Sequence, residues 1–424
     1  MIFVRLSEEE FTQFASHHPQ ESFFQTVELG HLRHLYGSEL HFLGVKEKEQ
    51  IIAASMLTET RTIAGKRTFY APRGFLIDYH DKQLLSYFTK NLIDYVKKRN
   101  GMMIKLDPNV IYQLRDINGN VVPENFRDDE TIDNLKELGY HHYGFNLDFE
   151  FTQSRWNFRV SLDVPYEELK KRFSKSTRKN IEATYKKGLQ VRIGTKDDLN
   201  SMEDILIQTA ERKNFAYRSL DYYTKMYDCM GDLMRIYIAY VEPMHYIECA
   251  KQSLEEAKAE YQTVLDKMKK DMVGAKLKQQ ETTLQKKISK CEQELEAAYD
   301  FQKKYPQGKD IGVLISLKSG LEYLTLYSGY LVEFHQFTPK YAMYNEHILD
   351  AYRFQIPYVN FYGISGVFDP KDKNYGMYEF KRGFGGNVVE LIGEFTYPVS
   401  YWYYIYMLLR RSKIFLRKWK AKRK

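Results

Sequence analysis

Cysteine is scarce in this sequence. Its three residues, Cys229, Cys249 and Cys291, are widely spaced in a chain of 424. They form neither a disulfide framework nor a metal-binding pair, and such sparing use fits a reducing compartment. Long apolar runs are also missing, since none approaches the ~20 residues that a membrane span requires. The first residues, MIFVRLSEEEF, carry acids where a signal peptide needs an apolar stretch, so a cytoplasmic location is expected. Eleven histidines are present, yet there is no His-Glu-x-x-His pair, Cys/His cluster, serine elbow or Walker loop. No metal, flavin or nucleotide cofactor is therefore expected. Acids run out after Glu394, while Arg410 to Lys424 is dense in Lys and Arg. With a net charge of only +7, that concentration at one end points to an anionic partner.

What is present suffices for packed cores: 43% of residues are hydrophobic, and the length suits about two or three domains. The 35 tyrosines read mainly as core and strand content. Residues 1–150 alternate short segments of both periods. His41–Val45 and Ile51–Leu57 predict a hairpin turning at Lys46–Gln50. Leu84, Leu85, Phe88, Leu92, Ile93 and Val96 predict a helix ended by Gly101, with a strand Met102–Leu106 closing at Asp107-Pro108. A helix ending at Leu135–Gly139 and a strand Tyr143–Phe149 follow. The second region, 151–245 and 306–400, predicts a strand Val160–Asp163 and a basic helix Tyr166–Lys187 stopped by Gly188. Helices Leu199–Lys213 and Leu220–Met230 and strand Met234–Val241 come next. Beyond the interruption lie strands Val313–Lys318 and Glu322–Tyr327, a helix Lys340–Phe354 and a strand Tyr358–Tyr362. This mixed order predicts an α+β fold.

The interruption, 246–305, is free of proline and rich in charge. Ile247, Ala250, Leu254, Ala257, Tyr261, Val264 and Met268 repeat at three and four, as do Leu284, Ile288, Cys291, Leu295 and Ala298. Two such seams with Met272–Gly274 between them predict an antiparallel coiled-coil hairpin inserted into the second domain. The tail 401–424 is aromatic, then basic.

Several residues have the chemistry of a site. Lys381 stands beside the glycine-rich stretch Gly383-Phe384-Gly385-Gly386, where a cation and backbone N–H groups can meet a phosphate or an oxyanion. Read from Arg382, the same stretch nearly matches the acyl-CoA loop of acetyltransferases and fails at Asn387. Asp107, where a strand runs out, is placed to act as a base or to make an Asx-Pro turn. Arg218 precedes a helix with Ser219 as its cap, beside Tyr222, a setting suited to a phosphate or a sugar. Lys170, Lys171, Arg172, Lys175, Arg178, Lys179, Lys186 and Lys187 form a stripe that either follows nucleic-acid phosphates or is a solvated face.

In order along the chain, seven segments carry a resemblance. They are Ser22-Phe23-Phe24-Gln25-Thr26, Tyr70-Ala71-Pro72-Arg73-Gly74, Lys105-Leu106-Asp107-Pro108, Ser176-Thr177-Arg178-Lys179-Asn180-Ile181, Asn360-Phe361-Tyr362-Gly363-Ile364-Ser365-Gly366, Phe380-Lys381 and Ile392-Gly393-Glu394-Phe395. With the inserted arm, the chain resembles the FemABX family of peptidoglycan-bridge aminoacyltransferases, most closely its FemA-like and MurN-like members. The resemblance implies two acetyltransferase-like domains sharing a cleft, an aminoacyl-tRNA donor and a peptidoglycan precursor, lipid-linked or UDP-linked, as acceptor. By motif position, Lys381 would contact the reacting carbonyl or the tRNA end, with Phe380 lining that pocket. Arg218 and Tyr222 would bind the acceptor's diphosphate and peptide, Arg33 would assist at the diphosphate, and Asp107 matches a position proposed as a base. The sequence departs from the family at Leu29 and His31, where relatives often have Trp and Lys, and at Tyr344-Asn345-Glu346. Related bridge-forming transferases and an anionic membrane surface would be further partners, the latter making the protein peripheral at the inner face of the membrane. The other readings are a CoA-dependent N-acyltransferase and a non-catalytic adaptor for tRNA or membranes.

Overall fold

The computed structural model describes residues 1–123, 127–149, 152–213, 216–270 and 274–410. Two sheets dominate it. The first runs, edge to edge, Ile2–Arg5, Glu39–Glu47, Gln50–Arg61, Arg67–Ala71, Gly101–Leu106, Phe395–Pro398 and His141–His142. The second runs Leu189–Ile193, Met234–Val241, Lys309–Lys318, Glu322–Tyr330, Tyr358–Ile364, Trp156–Ser161, Asn387–Leu391 and Ile111–Leu114.

Each sheet opens with antiparallel strands that lead into one parallel pair, Arg67–Ala71 with Gly101–Leu106 and Glu322–Tyr330 with Tyr358–Ile364. The crossover is a helix in both cases, Lys82–Lys98 and Pro339–Arg353. Two helices also follow the first strand of each series: Glu8–Ala15 and Val27–His34, then Leu199–Lys213 and Leu220–Met230. The chain is a duplicated α+β unit of acetyltransferase-like design, as the resemblance implies.

The predicted elements form for the expected reasons. Leu84, Leu85, Phe88, Leu92 and Val96 make the buried stripe of the Lys82–Lys98 helix, whose N-cap Asp81 accepts the Leu84 N–H at 2.9 Å. The first hairpin turns at Lys48 and Glu49, both at positive φ.

Three expectations change. Tyr143–Phe149 is not a strand; pairing ends at His141–His142. Gly144 at φ 84° turns the chain away there, and Phe145 and Leu147 stay exposed. The basic helix of residues 166–187 is two helices, Tyr166–Arg172 and Lys175–Lys186. Between them Phe173 is extended and buried, packed edge-on against Phe384 at 5.4 Å. Ser174 caps the second helix, while the Arg178 guanidinium donates to the carbonyls of Lys171 at 3.0 Å and Phe173 at 2.9 Å. Core burial of Phe173 thus outweighs helix propensity, and Arg178 satisfies the carbonyls the break exposes. Third, the boundaries near 150 and 400 do not follow the sheets. Ile111–Leu114 pairs with Asn387–Leu391 in the second sheet, and Phe395–Pro398 pairs with Gly101–Leu106 in the first. Each half lends a strand to the other.

The hairpin arm consists of Pro243–Lys270 and Ala275–Lys304. It connects Met234–Val241 to Lys309–Lys318, the place that the Lys48–Glu49 turn occupies in the first half. Of the predicted tip, residues 272 and 273 lie outside the described residues. Lys287–Glu260 at 2.7 Å and Gln285–Tyr261 at 3.0 Å link the two helices. The base belongs to the second core. Tyr246 packs on Phe301 and Phe337 at 5.9 and 5.0 Å, and Ile247, Ala250, Ala298 and Phe301 are buried. Ala257, farther along the arm, is also buried.

A short Gly/Ser link replacing residues 258–293 leaves the core side chains in place, and thermal melting should change little. Excision of 246–305 removes Tyr246 and Phe301 as well, each worth about 3–5 kcal/mol as a buried aromatic, and should lower the melting temperature sharply. Global unfolding of the shorter deletion would place the outer arm within the folding unit.

Candidate functional site

The two parallel pairs differ in one respect. In the first half, pairing runs from Arg67 opposite Gly101 to Ala71 opposite Leu106. In the second it covers only Glu322–Leu324 against Tyr358–Asn360, after which the strands part. Each strand carries a bulge at that point. Tyr327 opposes Ile315 and Thr325 opposes Ser316, which leaves Leu326 as the extra residue. Asn360 opposes Arg159 while Gly363 opposes Asn157, so Phe361 and Tyr362 share one place. Tyr362 has φ 60°, and the Asn360 side chain accepts its N–H at 2.8 Å. A bulge bends its strand and sharpens its twist. Two bulges facing one another open a wedge whose inner edges keep backbone groups available to a ligand.

Lys381 is anchored in the wedge. It is 5% exposed, in the last turn of the Tyr375–Arg382 helix. Its Nζ donates to the Gly363 carbonyl at 2.6 Å and the Tyr362 carbonyl at 3.3 Å. Burial, followed by repulsion from Lys340, lowers its pKa to about 7. Phe380 packs against Tyr341, Tyr344 and Phe384 at 5.2, 4.9 and 5.4 Å, and the Tyr344 hydroxyl reaches Ser328 across the gap at 3.4 Å.

The expected placement of Lys381 in a glycine-rich loop is corrected by this helix. The glycines that follow serve close packing. A Cβ on Gly383 would meet Thr177 Oγ1 at 2.3 Å, one on Gly385 the Arg172 carbonyl at 2.7 Å, and one on Gly386 the Arg159 carbonyl at 2.4 Å. The stretch from Arg382 to Asn387 is closed against its neighbours and presents no phosphate cradle.

A second wall comes from the first half. Arg33, in the last turn of Val27–His34, lies 5.5 Å from the Tyr70 ring. The Tyr70 hydroxyl donates to Asp107 Oδ2 at 3.0 Å, and the Arg73 backbone N–H donates to Oδ1 at 2.8 Å. Asp107 is thus at the predicted strand end, buried, with both oxygens occupied; burial raises its pKa. The Arg73 guanidinium crosses to the Ser154 carbonyl at 2.6 Å.

The second half faces this wall with Leu220–Met230. Ser219 caps it as expected, accepting the Tyr222 N–H at 3.4 Å. Arg218, exposed, lies 5.0 Å over the Tyr222 ring and beside the Tyr327 hydroxyl. Tyr222 meets Tyr36 of the first half at 5.7 Å, and the Tyr36 hydroxyl donates to Asp221 at 3.0 Å. Tyr362 joins the walls. Its ring stacks on Phe24 at 5.9 Å, and its electrostatic neighbours are Arg73, Asp107 and Tyr327.

The structure thus groups Lys381 with Phe380 at the wedge, Asp107 with Arg33 around Tyr70, and Arg218 with Tyr222 at the gap between the halves, with Tyr362 between the wedge and Asp107. Tyr327 and Arg73 beside Tyr362, and Lys340 beside Phe380, join these groups and were not singled out in the sequence. Tyr327 had only a strand end as its signal, and Lys340 only a helix start after Pro339. Among the described residues one group, Glu39, His41 and Glu59, has the spacing of metal ligands. Arg67 and Arg99 already pair with its buried Glu59, so guanidinium groups supply the positive charge there.

Comparison with known proteins agrees with this geometry. The model of the FemAB family matches residues 6–411. Aminoacyltransferase FemB of Staphylococcus epidermidis is 30% identical over 428 residues, covering 98% of this chain and 100% of its own. Aminoacyltransferase FemA of the same species is 27% identical over 417 residues, covering 97% and 100%. Among solved structures, the crystal structure of FemX shares the fold with a TM-score of 0.77 at 23% identity, covering 94% of this chain and 97% of that one. A match of this extent makes the chain a member of the FemAB family.

Proposed function

We propose that the protein transfers an amino acid from aminoacyl-tRNA to an amine on the stem peptide, or growing cross-bridge, of a peptidoglycan precursor. The observation that carries the reading is the meeting of two differently equipped walls at Tyr362. One has a buried cation at an open strand wedge, and the other has Arg33, Arg218 and Tyr222 around a gap between the halves. The acceptor amine attacks the ester carbonyl, the tetrahedral oxyanion collapses, and the ribose hydroxyl of the tRNA leaves with a proton. A free amine needs no covalent help against an ester, so catalysis consists of positioning and oxyanion stabilisation. Lys381 is the stabilising cation, Phe380 lines the donor pocket, and Arg33 and Arg218 grip the acceptor's diphosphate beside Tyr222. Asp107, with both oxygens engaged, acts as a positioning residue through Tyr70 and the Arg73 turn.

Purified protein given charged tRNA, acetyl-CoA and a lipid-linked precursor tests this reading: transfer should require the charged tRNA and the precursor. Transfer from acetyl-CoA instead would support an N-acyltransferase. No transfer with either donor, alongside binding of tRNA or vesicles, would support an adaptor.

Lys381→Met keeps the length and removes the charge. Its single-turnover rate should fall tenfold or more, as when an oxyanion-stabilising group worth about 2.7–4 kcal/mol is lost. The pH profile supplies the sign. The ammonium is present below about pH 7 and lost above it, so kcat/KM of the wild type should carry a falling limb near pH 7 that Lys381→Met lacks. Near-normal turnover by the variant would remove Lys381 from this role.

Arg218→Ala should raise the KM for the precursor by roughly tenfold, the size of a charge-assisted contact, with tRNA binding unaltered. Arg218→Lys should rescue only in part, because the bidentate fork is lost. An unchanged KM refutes the assignment.

The C-terminal region supports a peripheral position at an anionic membrane. Residues 402–410 are helical. Trp402, Tyr403, Tyr406 and Met407 pack on Met102 and Met103, while Tyr401, Tyr404, Ile405 and Leu408 are exposed at 66, 54, 36 and 67%. The basic residues from Arg411 onward lie outside the described residues. No helix among those described is long and apolar enough to cross a membrane. Aromatic side chains suit the bilayer interface, and each cation near anionic lipid contributes about 1 kcal/mol. The protein should sediment with anionic vesicles at low salt, release at high salt, and lose most binding when 410–424 is deleted. Equal binding by the truncated protein would exclude the tail.

A further inference from the structure

The donor end of the cleft holds a charge the fold does not balance. Lys340, the second residue of the Pro339–Arg353 helix, is half-buried, with its ammonium 4.5 Å from the centre of the Phe380 ring. Lys213 and Arg212, at the end of the Leu199–Lys213 helix, are its nearest electrostatic partners, and all three are cations. Arg212 lies 4.6 Å over the ring of Tyr330, the last residue of one parted strand. Lys381 holds the other parted strand through the Tyr362 and Gly363 carbonyls. Lys340 thus stands between cations fixed to the two lips of the wedge. None of the four forms an ion pair among the described residues, whereas Lys187 and Lys196, elsewhere in the same half, are matched to Glu294 and Asp228 at 3.1 and 2.6 Å.

From this arrangement we infer that Lys340, supported by Arg212 and Lys213, receives a backbone phosphate of the donor's RNA 3′ end and so holds the aminoacyl ester over Lys381. The inference rests on the aminoacyl-tRNA reading and deepens it. An uncompensated group of cations in a partly desolvated site gains most from an anion of at least one full charge, and a phosphodiester brings that charge with two free oxygens. The placement suits the 3′ end in particular. The partly exposed rings of Phe380 and Tyr341 beside Lys340 offer a stacking surface of the kind that unpaired bases use. Titration agrees with the geometry. Burial, then repulsion from Lys213 and Arg212, lowers Lys340 to about 8, and Lys340 in turn adds to the burial that lowers Lys381. A phosphate at Lys340 relieves that repulsion, so arrival of the donor favours the charged form of Lys381 at the moment it is needed.

The test uses the full chain and a short single-stranded RNA ending in CCA, followed by fluorescence anisotropy over a salt series, with CoA as a separate probe. Lys340→Gln should weaken RNA binding about tenfold, the size expected for one charge-assisted contact. It should also flatten the slope of log K against log salt by about 0.7, one phosphate's share on a single strand. Lys340→Arg should restore most of both, and the KM for the precursor should not move. The double variant Arg212→Gln, Lys213→Gln should show the same two changes in weaker form, and it carries the test if Lys340→Gln melts early. If the wild type binds the RNA while Lys340→Gln, folded, binds it with equal affinity and slope, this inference falls and the donor reading stands. If the wild type ignores the RNA but binds CoA in a Lys340-dependent way, or binds neither, the donor reading falls and takes the inference with it.

Discussion

The site depends on the parting of two parallel strands. Glu322–Tyr330 and Tyr358–Ile364 are paired only as far as Leu324 and Asn360, and bulges at Leu326 and at Phe361–Tyr362 turn them from one another. A sheet interior is an unusual place for open backbone groups, because a buried, unpaired N–H or C=O costs about as much as a lost hydrogen bond. The structure meets part of that cost with Lys381, whose ammonium accompanies the Tyr362 and Gly363 carbonyls. The same contact fixes the Lys381 ammonium against the bulged strand.

Duplication explains how a second wall arose. The first half has the same order of strands and helices, but its parallel pair is closed from Arg67 to Ala71. With no wedge to support, its strand end at Asp107 instead organises the Ala71–Gly74 turn, and Arg73 reaches across to Ser154. The two halves exchange strands, Ile111–Leu114 in one direction and Phe395–Pro398 in the other. They therefore cannot separate without breaking sheet hydrogen bonds, and the cleft from Tyr36 to Tyr222 keeps its geometry.

Much of the fold could be read from the chain because local forces decide it. The buried stripe of Lys82–Lys98, the hairpin turning at Lys48–Glu49 and the two seams of the arm each follow from side-chain period and turn chemistry. Expectations went astray where a distant contact overrode a local preference. Phe173 breaks a good helical sequence because the core near Phe384 takes its ring. The glycines after Lys381 look like a phosphate loop, but they are small because Thr177, Arg172 and Arg159 stand within 3 Å of any added Cβ.

The sequence by itself determined the α+β class, the arm and its period and the family resemblance, and it singled out Lys381, Phe380, Arg218, Tyr222, Arg33 and Asp107 as candidates. Those follow from patterns within a few residues or from motif order. Only the tertiary structure decided what each of them faces. Tyr327, Arg73 and Lys340 join them from three separate elements, and no spacing along a chain encodes the meeting of residues so far apart in sequence. Nor could the chain reveal that a lysine on a helix end would lie between cations borne by two parted strands. Side-chain period reports which face of an element is buried; the neighbours of a charge are set by how the elements pack, and those neighbours determine its chemistry.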